Sequence, residues 1–155
     1  MATPLLPEQV QTQDAVLLYD GLCGFCDGTV RWLLRRSHAK DHAGRIYFLA
    51  QQTELAQAIF ARYGISKRTE EDRAYLLVHP GTEQEQMLQR SDAIVHAVAL
   101  LGGGWRLVAA ALGAFPRGFR NAAYGLIARN RYWIGGRRTE CRIPTAEERS
   151  RFLGL

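Results

Sequence analysis

Two cysteines separated by two residues, Cys23 and Cys26, carry the chemistry that this sequence makes most visible. They follow the apolar run Ala15–Tyr19, which is typical of a buried strand, and a breaking Asp20-Gly21 pair; a helix is predicted to begin at Cys23. The first turn of a helix offers unpaired N–H groups and the positive end of the helix dipole, and both stabilise a thiolate. A C-x-x-C pair in that position predicts thiol–disulfide exchange.

Helical spacing separates the two sulfurs. The side of the predicted helix that carries Cys26 also carries three apolar residues, Val30, Leu33 and Leu34. The opposite side carries a charged row, Asp27, Arg31 and Arg35. We therefore predict that Cys26 is the buried, resolving thiol and that Cys23 is the exposed nucleophile.

Two other interpretations of the cysteine pair remain open, zinc binding and a structural role. Structural zinc usually takes four Cys or His ligands, and the remaining candidates are scattered: Cys141, His38, His42, His79 and His96. Two buried, unreactive cysteines are the second alternative. The strand-to-helix position favours redox chemistry over both, and neither a metal nor a bound cofactor is expected.

Four neighbouring or distant residues are further site candidates. Asp20 could accept a proton from Cys26 or oppose charge on Cys23, but a turn-forming role beside Gly21 is favoured. Gly24 and Phe25 lie between the cysteines, where they could dock a substrate backbone and an apolar group, although both are also ordinary at a helix start. Cys141 could be a third redox thiol, but a buried structural thiol is favoured.

The order of the predicted elements gives an α/β fold. Strands are predicted at 15–19, 45–50, 74–79 and 86–89, and helices at 23–37, 53–63, 91–101, 105–112 and 116–128, with Thr53, Ser91 and Pro116 at helix starts. A Thr145–Glu148 capping box precedes a last short helix. A βαβ unit followed by a helix, a β-hairpin and a helix matches the thioredoxin-like arrangement, here with a C-terminal basic helical extension.

Length and composition fit one globular domain. The chain has 155 residues, and we assign residues 1–13 to a lead-in, 14–103 to the redox core and 104–155 to the extension. Neither a secretory signal nor an apolar run long enough to span a bilayer is recognised. Three cysteines, an odd number, argue against a disulfide scaffold, so a reducing cytoplasm is expected.

The net charge of +5 comes from the second half of the chain. Residues 106–142 hold eight arginines and one acid, Glu140, with tryptophan and tyrosine interleaved. That pattern could bind nucleic acid or anionic lipid. The favoured interpretation is a helical cap on the sheet, and a basic nucleic-acid- or membrane-binding module with a non-catalytic cysteine pair is kept as the alternative function.

The segment from Val16 to Cys26, VLLYDGLCGFC, resembles the signature of the thiol-disulfide oxidoreductase DCC family, named for its Asp-x-x-Cys-x-x-Cys motif. Later segments are similar to that family as well: SDAI at 91–94, GGWR at 103–106, 124–138, and CRIPT at 141–145. The resemblance implies a thioredoxin-like fold and protein-disulfide oxidoreductase activity, with Cys23, Cys26 and Asp20 at the motif positions. The partners expected for thiol–disulfide exchange are a disulfide-containing protein or small-thiol substrate and an upstream thiol electron donor.

One feature of well-studied thioredoxins is missing from the sequence. Those proteins carry a cis-proline before the third strand, facing the cysteines, whereas residues 71–74 here are Glu-Asp-Arg-Ala and Pro80 follows the strand. Substrate docking in the usual thioredoxin groove is therefore not carried over.

Overall fold

The computed structural model describes residues 6–37, 44–65, 73–136 and 143–154. Four strands form one sheet in the order β2-β1-β3-β4; they are β1 Ala15–Tyr19, β2 Ile46–Ala50, β3 Tyr75–Val78 and β4 Gln86–Gln89. β1 pairs in parallel with β2 and antiparallel with β3, and β3 forms a hairpin with β4. The three apolar strands are fully buried, whereas β4, which alternates polar and apolar residues, lies at the edge.

Five helices surround the sheet: α1 Gly24–Arg36, α2 Glu54–Arg62, α3 Ser91–Leu100, α4 Trp105–Gly113 and α5 Arg117–Gly135. α1 and α3 pack on one face of the sheet, against alternate strand residues such as Leu17 and Phe48. α2 packs on the other face, against Val16 and Leu18. This mixed α/β architecture confirms the predicted thioredoxin-like fold.

The helix ends show which local signals the sequence carried. Thr53 caps α2 as predicted, because its Oγ1 accepts the N–H of Ala56 at 3.2 Å. The capping box also forms, with reciprocal bonds between Thr145 and Glu148. It leads only into a single 3-10 turn, Arg149–Arg151.

The predicted cap at Ser91 is wrong. Arg90 occupies the N-cap position of α3 without a side-chain cap, and Ser91 is already helical. The Ser91 hydroxyl donates instead to the Asn121 side chain of α5 at 2.5 Å. The Ser91 hydroxyl therefore forms a hydrogen bond with another helix instead of capping its own.

α5 is seven residues longer than the predicted 116–128 helix at its C-terminal end. It packs against α1 and α3, and α4 packs against α3, so the C-terminal helices lie on the helices of that face. The extra length brings Gly135 and Gly136 to the beginning of α1. Within the described part of the chain, no helix has the length and apolarity needed to cross a membrane.

Candidate active site

The helix predicted to begin at Cys23 begins one residue later, at Gly24, and Cys23 is its N-cap. Its Sγ accepts the backbone N–H of Cys26 at 3.2 Å, and its carbonyl accepts the N–H of Asp27 at 3.0 Å. The sulfur therefore takes the place of a capping oxygen and satisfies one of the free N–H groups of the first turn. Negative charge on this sulfur is stabilised by that bond and by the helix dipole.

The predicted exposure of the two cysteines is wrong, and the real order is the reverse. Cys23 is 0% exposed, whereas Cys26 is half-buried and faces a cavity. The reason is tertiary: the end of α5 closes over the first turn of α1, where the Gly24 N–H donates to the Gly136 carbonyl at 3.0 Å. Asp27, expected on the solvated side, is also buried and lies next to that covered turn.

Two glycines make this closure possible. A Cβ on Gly24 would overlap the carbonyl oxygen of Gly135, and a Cβ on Gly135 would overlap the backbone of Phe25. Gly24 thus allows the close backbone approach expected of it, but the approaching backbone belongs to the same chain.

The Cys26 sulfur borders a cavity of about 220 Å³ between α1, α5 and the beginning of β3. Most of its wall is apolar, including Phe25, Val30 and Ile127, and the polar exceptions include Asp20 and Arg131. A cavity of this size fits one side chain or a small organic group beside the sulfur.

Asp20 joins β1 to α5 through a buried hydrogen-bond network. Its Oδ1 accepts the N–H of Leu22 at 3.0 Å, which is the turn-forming bond expected of it, and the Gln52 amide at 2.7 Å. Its Oδ2 accepts the Tyr132 hydroxyl at 2.6 Å and pairs with the Arg131 guanidinium at 3.1 Å. Asp20 therefore fixes both the turn before the cysteines and the helix that covers them.

Arg131 is the site residue that the sequence did not reveal. Its side chain is 5% exposed, and its Nη1 lies 3.8 Å from the Cys26 sulfur. The guanidinium also lies over the ring of Tyr132. The sequence placed this arginine in a basic tail, and nothing in the spacing of that tail distinguishes one buried arginine from the exposed ones. Its place in the segment similar to the DCC family was the only available signal.

The electrostatics of the two sulfurs differ. Burial raises the pKa of Cys26, and the hydrogen bond with Cys23 and the charge of Cys23 raise it further, against the lowering effect of Arg131. Cys26 therefore keeps its proton well above neutral pH while Cys23 is present as a second sulfur.

The segment before β3 also reaches the site, as in a thioredoxin-like fold, but without a cis-proline. None of the described residues has a cis peptide bond. The Ala74 N–H donates to the hydroxyl of Tyr124 from α5 at 2.7 Å. Burial raises the pKa of Tyr124, so its hydroxyl stays protonated. The Tyr124 hydroxyl is thus the hydrogen-bond partner of a backbone N–H on the segment that lines the same cavity as Cys26.

The remaining candidates do not join the site within the described residues. Cys141, His38 and His42 lie outside those residues, and His79 and His96 do not line the cavity. In residues 6–37, 44–65, 73–136 and 143–154, no group of three or more His, Cys, Asp or Glu side chains is arranged to hold a metal ion.

The chain is similar to known proteins over most of its length. A family model described as DCC1-like thiol-disulfide oxidoreductase matches residues 17–137. The chain is 32% identical to the uncharacterized protein YuxK of Bacillus subtilis over 92% of this chain and 96% of that protein. It is 26% identical to a chloroplastic DCC family protein of Arabidopsis thaliana over 83% of this chain and 69% of that protein. No solved structure gives a significant match.

Proposed function

Because the chain belongs to the DCC1-like thiol-disulfide oxidoreductase family, we propose that it exchanges disulfides through Cys23 and Cys26. The observation that carries the proposal is the N-cap sulfur of Cys23, which accepts the N–H of Cys26. This one contact stabilises a thiolate and keeps the second thiol in the adjacent turn. The substrate is a disulfide of a protein or a small thiol, and no bound cofactor takes part.

Cys23 makes the first attack. Its thiolate forms a bond with one sulfur of the substrate disulfide, and the other substrate sulfur leaves as a thiolate that takes a proton from water. The product is a mixed disulfide on Cys23. At this point the substrate is not yet fully reduced and the protein is not yet fully oxidised, because one disulfide has only replaced another.

Cys26 then resolves the mixed disulfide. Once Cys23 has become a neutral disulfide sulfur, its charge no longer raises the pKa of Cys26, and the remaining Arg131 cation favours the Cys26 thiolate. Attack of this thiolate on the Cys23 sulfur forms the Cys23–Cys26 disulfide and releases the second substrate thiolate. The substrate has gained two electrons, and the protein has lost them.

Substrate access requires the end of α5 to move. Cys23 is completely buried beneath the chain at Gly135 and Gly136, whereas the Cys26 side of the pair opens into the apolar cavity. We assign the cavity to the apolar group next to the substrate sulfur, with Phe25 as part of its wall. The Gly24 N–H is hydrogen-bonded to the Gly136 carbonyl, and in this proposal breaking that contact lets the substrate disulfide reach the sulfur.

The residues around the pair position it. Asp20 holds the turn before Cys23 and orients Arg131 toward Cys26.

An upstream thiol donor regenerates the dithiol. In a reducing compartment such as the cytoplasm the protein would work as a reductase, because the surrounding thiol pool keeps the pair reduced.

A trapping experiment tests the proposal. Cys26→Ser keeps the nucleophile and removes the resolving thiol, so after incubation with oxidised glutathione or insulin it should accumulate a mixed disulfide on Cys23, located by peptide mass spectrometry. The wild-type chain should reduce insulin in the presence of dithiothreitol, and both single variants should not.

Cys23→Ser is the matched control, since serine caps a helix as well as cysteine can. A mixed disulfide on Cys26 in this variant but none on Cys23 in Cys26→Ser would overturn the assigned roles. Absence of any mixed disulfide in both variants, with no insulin reduction by the wild type, would overturn the exchange function and favour a binding module with a non-catalytic cysteine pair.

A further inference from the structure

A line of large apolar side chains runs along the outer side of α5 and faces solvent. Phe119, Leu126 and Trp133 are 63%, 59% and 88% exposed. They are spaced seven residues apart, nearly two helical turns, so they lie on one side of the helix along about 21 Å of its length. The opposite side of α5 carries Tyr124 and Arg131, which line the redox cavity.

The apolar surface continues beyond α5. Phe115, in the link from α4, stacks on Phe119 with 5.5 Å between ring centroids and is itself exposed. A helix with apolar residues on both sides normally has a partner on each. The inner side has one in the redox core, and the outer side has none within the described chain.

The charged side chains that α4 and α5 themselves carry are all cationic. Residues 101–136 contain five arginines and no aspartate or glutamate. Arg106 and Arg129 are exposed, and Arg117, also exposed, pairs with Asp92 of α3 at 3.3 Å. The surface thus combines exposed phenylalanine, leucine and tryptophan with cationic side chains.

We propose that α4 and α5 lie on the surface of an anionic phospholipid bilayer, with Phe119, Leu126 and Trp133 inserted among the lipid head groups. Interfacial helices have this composition, because apolar side chains enter the acyl boundary while arginines contact phosphate. A second copy of the chain would bring the same positive charge against itself. A nucleic acid would match the charge but would leave the apolar line without a partner.

In this orientation the redox cavity stays on the other side of α5, facing away from the lipid. The same helix therefore binds the bilayer with one side and borders the cysteine pair with the other, and the protein needs no membrane-spanning segment. The inference is independent of the exchange reaction and stands or fails on lipid binding alone.

Vesicle flotation with the full-length chain tests this inference. We expect the protein to float with vesicles of phosphatidylcholine and phosphatidylglycerol, to float poorly with phosphatidylcholine alone, and to dissociate as salt is raised. Changing Phe119, Leu126 and Trp133 together to serine should abolish flotation, and circular dichroism should stay unchanged because all three are exposed. Arg106→Ala with Arg129→Ala should weaken binding about thirtyfold at low salt.

Two controls make the outcome specific. Arg31→Ala with Arg35→Ala removes the same charge from the exposed side of α1 and should weaken binding far less. Trp133→Phe should keep flotation but lose most of the fluorescence shift that vesicles cause. Failure of the wild type to float with anionic vesicles, or equal flotation of the triple serine variant, would overturn the proposal. So would a dimer of the wild-type chain that the triple variant converts to a monomer, since a second copy would then cover the surface.

Discussion

The carboxylate of Asp20 and the guanidinium of Arg131 form an ion pair at 3.1 Å in which each side chain is only 5% exposed. The two residues are far apart in the sequence, one at the end of β1 and one in α5. Their pairing brings a cation within 3.8 Å of the Cys26 sulfur and joins the helix that covers Cys23 to the strand that precedes it. The stability of the fold and the reactivity of the thiols are therefore coupled.

Asp20→Asn tests the stability side of that coupling. The substitution leaves Arg131 buried without its anionic partner, and breaking a buried ion pair in this way costs about 3–5 kcal/mol. We expect a loss of that size in the free energy of unfolding, measured in urea. Asp92→Asn is the control, because Asp92 pairs with Arg117 and Arg120 near the surface and should cost about 1 kcal/mol or less. Equal losses in the two variants would contradict the role given to the buried pair.

Gly24→Ala tests the closure over Cys23. The new Cβ would overlap the Gly135 carbonyl, so the end of α5 must move away from α1. We expect faster alkylation of Cys23 by iodoacetamide, located by peptide mass spectrometry. Gly28→Ala is the matched control on the same helix, where an added Cβ meets no atom within 4 Å and should only stabilise the helix, by about 1 kcal/mol. The closure would be refuted by an unchanged Cys23 rate in a folded Gly24→Ala protein.

Cys23→Ser tests how one sulfur controls the other. Burial is the main cause of the raised pKa of Cys26, and Cys23 adds to it through its hydrogen bond and its charge, so replacing Cys23 should lower that pKa in part. At pH 8 we expect Cys26 to be alkylated faster than in the wild type, by about threefold for each unit by which its pKa falls. A lower pKa raises the thiolate fraction, but it also makes each thiolate a weaker nucleophile, and this reduces the gain. The measurement is the rate of iodoacetamide labelling at Cys26 as a function of pH. A slower rate, or an unshifted pH profile, would show that Cys23 does not hold the proton on Cys26.

The raised pKa of Cys26 also predicts how stability depends on pH. Between the ordinary thiol pKa of 9.0 and the higher value in the folded chain, the unfolded state has lost this proton and the folded state has kept it. The folded state then binds more protons, so the free energy of unfolding falls as pH rises above about 9, by at most about 1.4 kcal/mol per pH unit from this group.

Urea unfolding of the reduced protein at several pH values from 7 to 10.5 measures this effect, with Cys26→Ser as the reference. The variant lacks the titrating thiol and retains the other ionisable groups, so its stability should fall less steeply above pH 9. Parallel curves for the two proteins would mean that Cys26 titrates alike in the folded and unfolded states.

The sequence alone was enough for the local features of this protein. The continuous apolar runs at 15–19 and 75–78 were enough to predict buried central strands. The turn at Asp20 was enough to place the C-x-x-C pair at the beginning of a helix. These features depend on residues close together in the chain, through strand propensity, capping and turn chemistry, and such short-range signals are written directly in the order of residues.

Only the tertiary structure decided which sulfur is covered and which charge lies beside it. The apolar stripe of α1 correctly placed Val30 and Leu33 in the core, yet Cys23 is buried because the backbone at Gly136 reaches its turn, and Arg131 adjoins Cys26 because α5 crosses α1. Periodicity within one helix shows which side faces inward, but it does not predict which distant segment packs against the end of that helix. That is why burial of the cysteines was predicted in the wrong order while their position on the helix was predicted correctly.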